Sequence, residues 1–397
     1  MRRNKKTDSE NRNTLNRRRS AGSGDSSPAK RPAVTMLLVL VLATALCFAM
    51  AVGLTGCSAA DGSGAASPED AGGAAESSEP AGTVLSETED TLTVVDQAGR
   101  EVTVKKDPRS IALSYRVVIR FLLNLGQGDK IVGIGKRDPF TEELEPSLKD
   151  AADVGKGMAD VEALAELDPD LFIHRASDLQ TMEAVSKIGI PVVGIEVETP
   201  EEMVTALDLL GKVCGAKEKA AELIDYYNEQ IKDARTRTAK LKDEDRPTAI
   251  VMGSSIGKVA DGSMLQGEML ERAGAVNCAG DLEATELWPT AGTEQIFKWD
   301  PDYIFITNSE SAVYSAEDIL KDPTWSELTA VRKKQVYDMP AKQDSWEFPG
   351  VVSVLGIDYM MHVMHPDLMD EATLEKKVDA FYEKAYGKTF DRKTLGY

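Results

Sequence analysis

Read as a pattern of apolar and polar positions, the chain changes texture several times. Val34 to Leu54 is an almost unbroken apolar run, preceded by the basic groups Arg17-Arg18-Arg19 and Lys30-Arg31. Residues 58–90 have few large apolar side chains, so they cannot offset the entropy of ordering and read as a flexible stalk. Thr91–Val95 and Glu101–Val104 alternate apolar and polar residues around Asp96-Gln97-Ala98-Gly99, which predicts a small antiparallel hairpin. Past Pro108, short apolar runs (Ile111–Leu113, Ile131–Ile134, Leu171–Ile173, Val192–Ile195) alternate with helical patterns at Val117–Leu125, Val161–Leu167 and Leu179–Lys187. That alternation predicts a parallel sheet covered by helices.

The chain also repeats itself. Asp160 to Ile173 can be laid on Gly292 to Phe305 at a constant offset of 132 residues, matching Glu162 with Glu294 and Asp168-Pro169-Asp170 with Asp300-Pro301-Asp302. Each copy reads as a short helix with a glutamate in its first turn, stopped at the proline and followed by a buried strand. Between the copies, Lys217–Leu241 carries apolar residues at helical spacing and is free of Gly and Pro, which predicts one long helix running to Arg246-Pro247. A strand at Ala249–Met252 opens the second half, and Ala372–Tyr386 closes it as an amphipathic helix. The predicted fold is α/β: two Rossmann-like lobes with central parallel sheets, joined by one long rigid helix that permits only a small hinge motion. The predicted divisions are 1–56 export segment, 57–90 stalk, 91–216 first lobe, 217–246 connecting helix and 247–397 second lobe.

Charge narrows the partners. Residues 1–56 hold 10 Lys/Arg and 3 Asp/Glu; from Cys57 onward the counts are 36 and 63, a balance of −27. So acidic a body argues against nucleic acid or an anionic membrane surface. The basic start and the apolar run have the form of an export signal, and Leu54-Thr55-Gly56-Cys57 closes it as a lipoprotein signal peptidase requires. An uncleaved membrane anchor is the alternative, since the run is about long enough to span a bilayer. No basic stop-transfer cluster follows it, which favours cleavage and lipid attachment at Cys57. Of the other cysteines, Cys47 lies in the apolar run, and Cys214 and Cys278 read as unrelated buried thiols rather than a long-range disulfide. Three histidines (His174, His362, His365) are too few for a His-rich metal site, and the last two read as structural.

From Thr91 to Gly387 the sequence resembles the iron-chelate and vitamin B12 class of solute-binding proteins that serve ABC importers. The resemblance rests on the opening VVDQAGREVTV, the Pro108-Arg109-Ser110-Ile111 strand entry, the Leu125-Gly126-Gln127-Gly128-Asp129-Lys130 turn, the two Asp-Pro-Asp segments, Gly189-Ile190-Pro191-Val192 and the tail Trp346–Pro366. It implies the class III periplasmic-binding-protein fold, capture of an Fe(III) chelate (a ferric siderophore first, then haem or a corrinoid), and no intrinsic cofactor. It also implies partnership with a permease dimer and its ATPase, a monomeric protein, and a place on the outer face of the membrane through the lipid alone. Its docking glutamates fall on Glu162 and Glu294; carboxylates on opposite lobes would grip two arginines of the permease. Tyr115 and Arg116 depart from the small polar residues common in that loop, which leaves the ligand's identity open.

Open α/β sheets bind ligands beyond the carboxyl ends of their strands. Position after a strand therefore selects Tyr115, Arg116, Arg137, His174 and Arg175 in the first lobe. In the second it selects Ser254, Ser255, Trp288, Asn308, Lys342 and Trp346. Arginine with Tyr and Trp suits an anionic, partly aromatic chelate. Tyr115 or His174 would be the axial ligand if the cargo were haem. The competing classes are a lipid-anchored enzyme, for which no GxSxG, P-loop, HExxH or CxxC is present, and a sensor or adhesin.

Overall fold

The computed structural model describes residues 76–156, 158–282, 286–307 and 313–397. Cys57, the export segment, the stalk up to residue 75 and Asn308 lie outside the described residues. The chain begins its folded course earlier than its composition suggests. Ser77 N donates to Gly99 O at 2.8 Å, and β1 (Val84–Glu87) pairs antiparallel with β2 (Thr91–Val95), which pairs in turn with β3 (Glu101–Lys105). The stalk expected through residue 90 is thus corrected. All four β1 side chains stay exposed, so this strand is ordered by backbone hydrogen bonds to the free edge of β2 and not by burial.

The first lobe follows as β4 (Ile111–Leu113), α1 (Val118–Asn124), β5 (Ile131–Ile134), α2 (Pro139–Leu144), β6 (Ala152–Asp153), α3 (Val161–Leu167), β7 (Leu171–Arg175), α4 (Leu179–Lys187) and β8 (Val192–Ile195). Its strands are all parallel, in the order β6-β5-β4-β7-β8. This is the mononucleotide-type order, with its switch point between β4 and β7. Two helices, α5 (Pro200–Val213) and α6 (Lys217–Thr238), carry the chain across. The connecting helix ends at Thr238 and does not reach Arg246 as expected. Arg246 folds back to donate from Nη2 to Thr238 O at 3.2 Å, occupying a terminal carbonyl while the chain turns into the next strand.

The second lobe comprises β9 (Thr248–Met252), α7 (Leu265–Arg272), β10 (Val276–Asn277), α8 (Thr293–Trp299), β11 (Tyr303–Ile306), α9 (Ala316–Lys321), α10 (Thr329–Arg332) and β12 (Val336–Asp338). Its parallel order, β10-β9-β11-β12, repeats the first sheet without one outer strand. Three helices end the chain: α11 (Ser353–Met364), α12 (Glu371–Tyr386) and α13 (Arg392–Leu395).

Strand alternation sorts the core. Ile111, Leu113, Ile173, Val193, Val251 and Phe305 face one continuous apolar cluster shared by both lobes and built on α1, α5, α6, α11 and α12. Their neighbours Ala112, Phe172 and Val192 face a separate cluster under α3 and α4. Ile250, Met252, Ile304 and Ile306 do the same in the second lobe, where Trp325 stacks on Phe297 at 5.9 Å. Each large side chain so buried contributes about 1.5–3 kcal/mol. The shared cluster therefore binds the lobes together.

A polar junction reinforces it. Arg120 of α1, 4% exposed, donates from Nε to Asp344 at 2.9 Å and from Nη2 to Asp138 at 3.1 Å. Trp346, expected at the ligand, is instead fully buried here, giving its Nε1–H to Tyr382 OH at 3.0 Å. The end of α12 returns to the first lobe: Asn124 Nδ2 donates to Ala385 O, and Phe140 meets Tyr386 and Phe390 at 5.9 and 5.6 Å.

The internal repeat is structural. Both α3 and α8 end on an aspartate in the left-handed region, Asp168 at φ 46° and Asp300 at φ 43°. The second aspartate of each motif ties its strand to the start of the lobe's first strand. Asp170 Oδ2 accepts from Arg109 N at 3.0 Å, and Asp302 Oδ2 accepts from Thr248 N at 3.2 Å. Glu162 and Glu294 are exposed in the first turns of their helices.

Candidate functional site

The switch points of the two sheets open onto a common cleft. A cavity of about 260 Å³ lies there, walled by Tyr115, Arg116 and Glu198 from the first lobe and by Ser254, Thr307 and Trp288 from the second. Tyr115 follows β4, Ser254 follows β9 and Thr307 follows β11. Strand ends thus deliver the polar groups, as open α/β sheets do.

Tyr115 is fixed from below. The Arg175 guanidinium lies 5.3 Å from the centre of its ring and pairs with both Glu196 and Glu198, while the Tyr115 hydroxyl donates to Glu198 Oε1 at 3.4 Å. Burial, and then the Glu198 charge, push the phenol well above its ordinary range, so it stays protonated. Arg175 supports the ring without lining the cavity. Arg116 crosses the cleft to lie 4.7 Å from the centre of the Phe348 ring. Trp288 holds a left-handed backbone, φ 57°, which is costly for a bulky residue and aims the ring against Gly253.

Glu347 also belongs to this wall. It is 3% exposed, and neither carboxylate oxygen has a hydrogen-bond partner among the described residues. Burial pushes its carboxyl up to about 8, outweighing the pull of its own backbone N–H and of the Arg120 and Arg116 charges, so it is mostly neutral at pH 7. With Gln266 beside it, donating to Glu347 O at 2.9 Å, the cleft is largely uncharged apart from Arg116 and Glu198.

Four of the residues selected by position (Tyr115, Arg116, Ser254, Trp288) come together; the others among the described residues do not line this cavity. His174 is 2% exposed and has both ring nitrogens engaged, Nδ1 with Ser114 Oγ at 2.5 Å and Nε2 with Asp178 at 3.0 Å. It lies within β7, two residues longer than expected, and points into the lobe. That contact and Thr181 hold the Asp178 carboxyl down to about 2. His174 is therefore not presented to the cleft as a haem ligand. Arg137 staples the turn before β6, donating to Leu148 O, Lys149 O and Ala151 O at 2.7–2.9 Å. Ser255 is exposed outside the cavity, and Lys342 lines a neighbouring one.

The residues missed were Glu198, Gln266, Thr307, Glu347 and Phe348. Thr307, directly after β11, and Glu198, three residues after β8, carried a positional signal. His362 and His365 hold the end of α11 to backbone carbonyls of Met369 and Gly274. Cys214 is a buried free thiol and Cys278 a half-buried one. Among the described residues no cluster of three or more His, Cys, Asp or Glu is placed to hold a metal ion, and no helix is long and apolar enough to cross a membrane.

A family model described as periplasmic binding protein matches residues 111–343, more than half of the chain. The ABC transporter substrate-binding lipoprotein YvrC of Bacillus subtilis is 26% identical over 70% of this chain and 87% of its own. The Fe(3+)-citrate-binding protein YfmC of the same organism is 23% identical over 68% and 84%. Among solved structures, the molybdate-bound protein MolA of Haemophilus influenzae superposes with a TM-score of 0.66 at 20% identity, covering 75% of this chain and 99% of that one.

Proposed function

The chain belongs to the periplasmic binding protein family, in its class III form, and on that premise we propose that it captures an organic iron chelate, a ferric siderophore first, for an ABC importer. Members of this family bind solutes outside the cytoplasm and hand them to a permease. The observation that carries the ligand class is the composition of the cleft. Three rings, Tyr115, Trp288 and Phe348, surround one arginine, with Ser254, Thr307, Gln266 and a mostly neutral Glu347 between them. Planar aromatic walls reward an organic ligand, and Arg116 can donate hydrogen bonds to the iron-bound oxygens of a chelate. A small oxyanion of the molybdate type is the second reading, favoured by the cavity's modest volume.

The exposed first-turn positions of Glu162 and Glu294 support their role as the two permease contacts, one on each lobe. Cys57 is the proposed lipid anchor, and the segment after it the tether that raises local concentration at the permease. The proposed unit is a monomer with lobes divided near 216 and 247.

Titration of the purified protein with a ferric trihydroxamate, haem, cobalamin and molybdate, read through tryptophan fluorescence, tests the ligand class. Saturable quenching by the trihydroxamate is expected; a response to molybdate alone would replace this reading with the second. The double variant Glu162→Ala, Glu294→Ala should bind ligand normally and fail to support uptake. Normal uptake would remove the docking assignment.

A further inference from the structure

Beyond the Arg116–Phe348 contact lies a second cavity of about 380 Å³, which shares both of these residues with the first. It is walled on the first-lobe side by Arg120 and Glu143 and on the second-lobe side by Lys342 and Gln343. The contact between Arg116 and Phe348 is therefore a partition inside one longer cleft, made of two side chains and no backbone ladder.

Two buried polar atoms in the wall of this outer cavity have no partner among the described residues: the donor Arg120 Nη1 and the acceptor Gln343 Oε1. Arg120 is 4% exposed, so a partner for its Nη1 can come only from the outer cavity that this residue lines. Gln343 is oriented by its other end, where Nε2 donates to Glu143 Oε2 at 2.8 Å, which leaves the carbonyl oxygen as the free atom. Buried groups of this kind are costly unless something pairs with them.

We propose that the outer cavity is a second subsite, which takes an uncharged arm of the chelate bearing adjacent carbonyl and N–H or O–H groups, as in a hydroxamate or secondary amide. The inference rests on the iron-chelate reading of the inner cavity and extends it. The arm's carbonyl accepts from Arg120 Nη1, and its N–H or O–H donates to Gln343 Oε1. Charge balance selects a neutral arm over a free carboxylate. Arg120 is already neutralised by Asp344 and Asp138, and the ammonium of Lys342 is turned to Lys393 O at 3.0 Å. A chelate spanning both cavities displaces the Arg116 guanidinium from Phe348, and that guanidinium then donates to the ligand's iron-bound oxygens.

The test uses the full protein and ferrichrome, a ferric trihydroxamate with an amide backbone, with molybdate as a probe small enough for the inner cavity alone. Gln343→Leu deletes the free acceptor, and Ala341→Phe fills the outer cavity without touching a polar group. Both should weaken ferrichrome by about tenfold or more, the scale of one hydrogen bond. Neither should change the melting temperature or any molybdate affinity. Should Ala341→Phe fail to fold, Gln343→Leu decides alone. Unchanged ferrichrome affinity in a folded variant overturns the subsite, leaving ordered water as its only occupant, while the inner-cavity reading stands. No saturable binding of ferrichrome by the unaltered protein overturns the subsite and the function on which it rests.

Discussion

Replacing Glu347 by glutamine removes a proton equilibrium from the middle of the protein while keeping the shape of the side chain. The carboxyl is 3% exposed, receives no hydrogen bond on either oxygen among the described residues, and is held by burial at about 8, against 4.5 for the free group. The folded protein therefore retains a proton that the unfolded chain releases above about 4.5. Stability falls as pH rises through this window, by about 1.4 kcal/mol per pH unit, until the folded carboxyl itself ionises near 8. The accumulated cost is roughly 3 kcal/mol at pH 7 and roughly 5 kcal/mol at pH 9. Other buried acids such as Asp358, raised by burial to about 6, contribute their own slopes to both proteins and cancel in the difference. Urea unfolding of the two proteins at pH 4.5, 7 and 9 isolates the effect. The variant should gain on the parent steadily from pH 4.5 to 8 and then hold its advantage. A difference that stays constant across this range refutes the claim that Glu347 is neutral in the fold.

Three further outcomes are expected. Gly253→Ala places a methyl 2.7 Å from Trp288 Cε3, so the ring must leave its seat; trihydroxamate affinity should drop about tenfold, with little change in melting temperature. Arg120→Met strands Asp344 and Asp138 without their cation and should cost about 3–5 kcal/mol in urea unfolding. The paired helix ends should respond in opposite senses. Asp168→Gly relieves a left-handed residue and should gain up to about 1 kcal/mol. Asp300→Gly should lose about 1 kcal/mol, because Asp300 accepts from Thr329 N and Oγ1, both at 2.7 Å.

Much of the architecture was legible because parallel strands buried on both faces leave unbroken apolar runs, as at Ile111–Leu113 and Val192–Ile195. The duplicated Asp-Pro-Asp was legible as a repeat, although the tie its second aspartate makes to the neighbouring strand is visible only in three dimensions. Residues placed just after a well-read strand, Tyr115, Arg116 and Ser254, reached the cleft. The error at His174 is one of strand length: β7 runs on to Arg175, and two more residues of alternation turn the imidazole inward. Glu347, Phe348 and Gln266 come from a loop and from the face of α7, where no periodicity distinguishes a cleft wall from ordinary packing. The order of residues 76–90 was hidden for another reason: a strand held only by its backbone has no apolar signature.

The return of α12 to the first lobe sets the order in which this protein becomes itself. Arg120 waits for an aspartate 224 positions downstream, and Asn124 for a carbonyl 261 positions downstream. As the chain leaves the ribosome, α1 and α5 can pack on the first sheet at once, but the outer side of α1, with Arg120 and Asn124, stays without its partners until Asp344 and the end of α12 arrive. Contacts this distant along the chain are slow to form, and half-made intermediates expose sticky surface in the meantime. A chain built in this way reaches its final form only after synthesis is nearly complete.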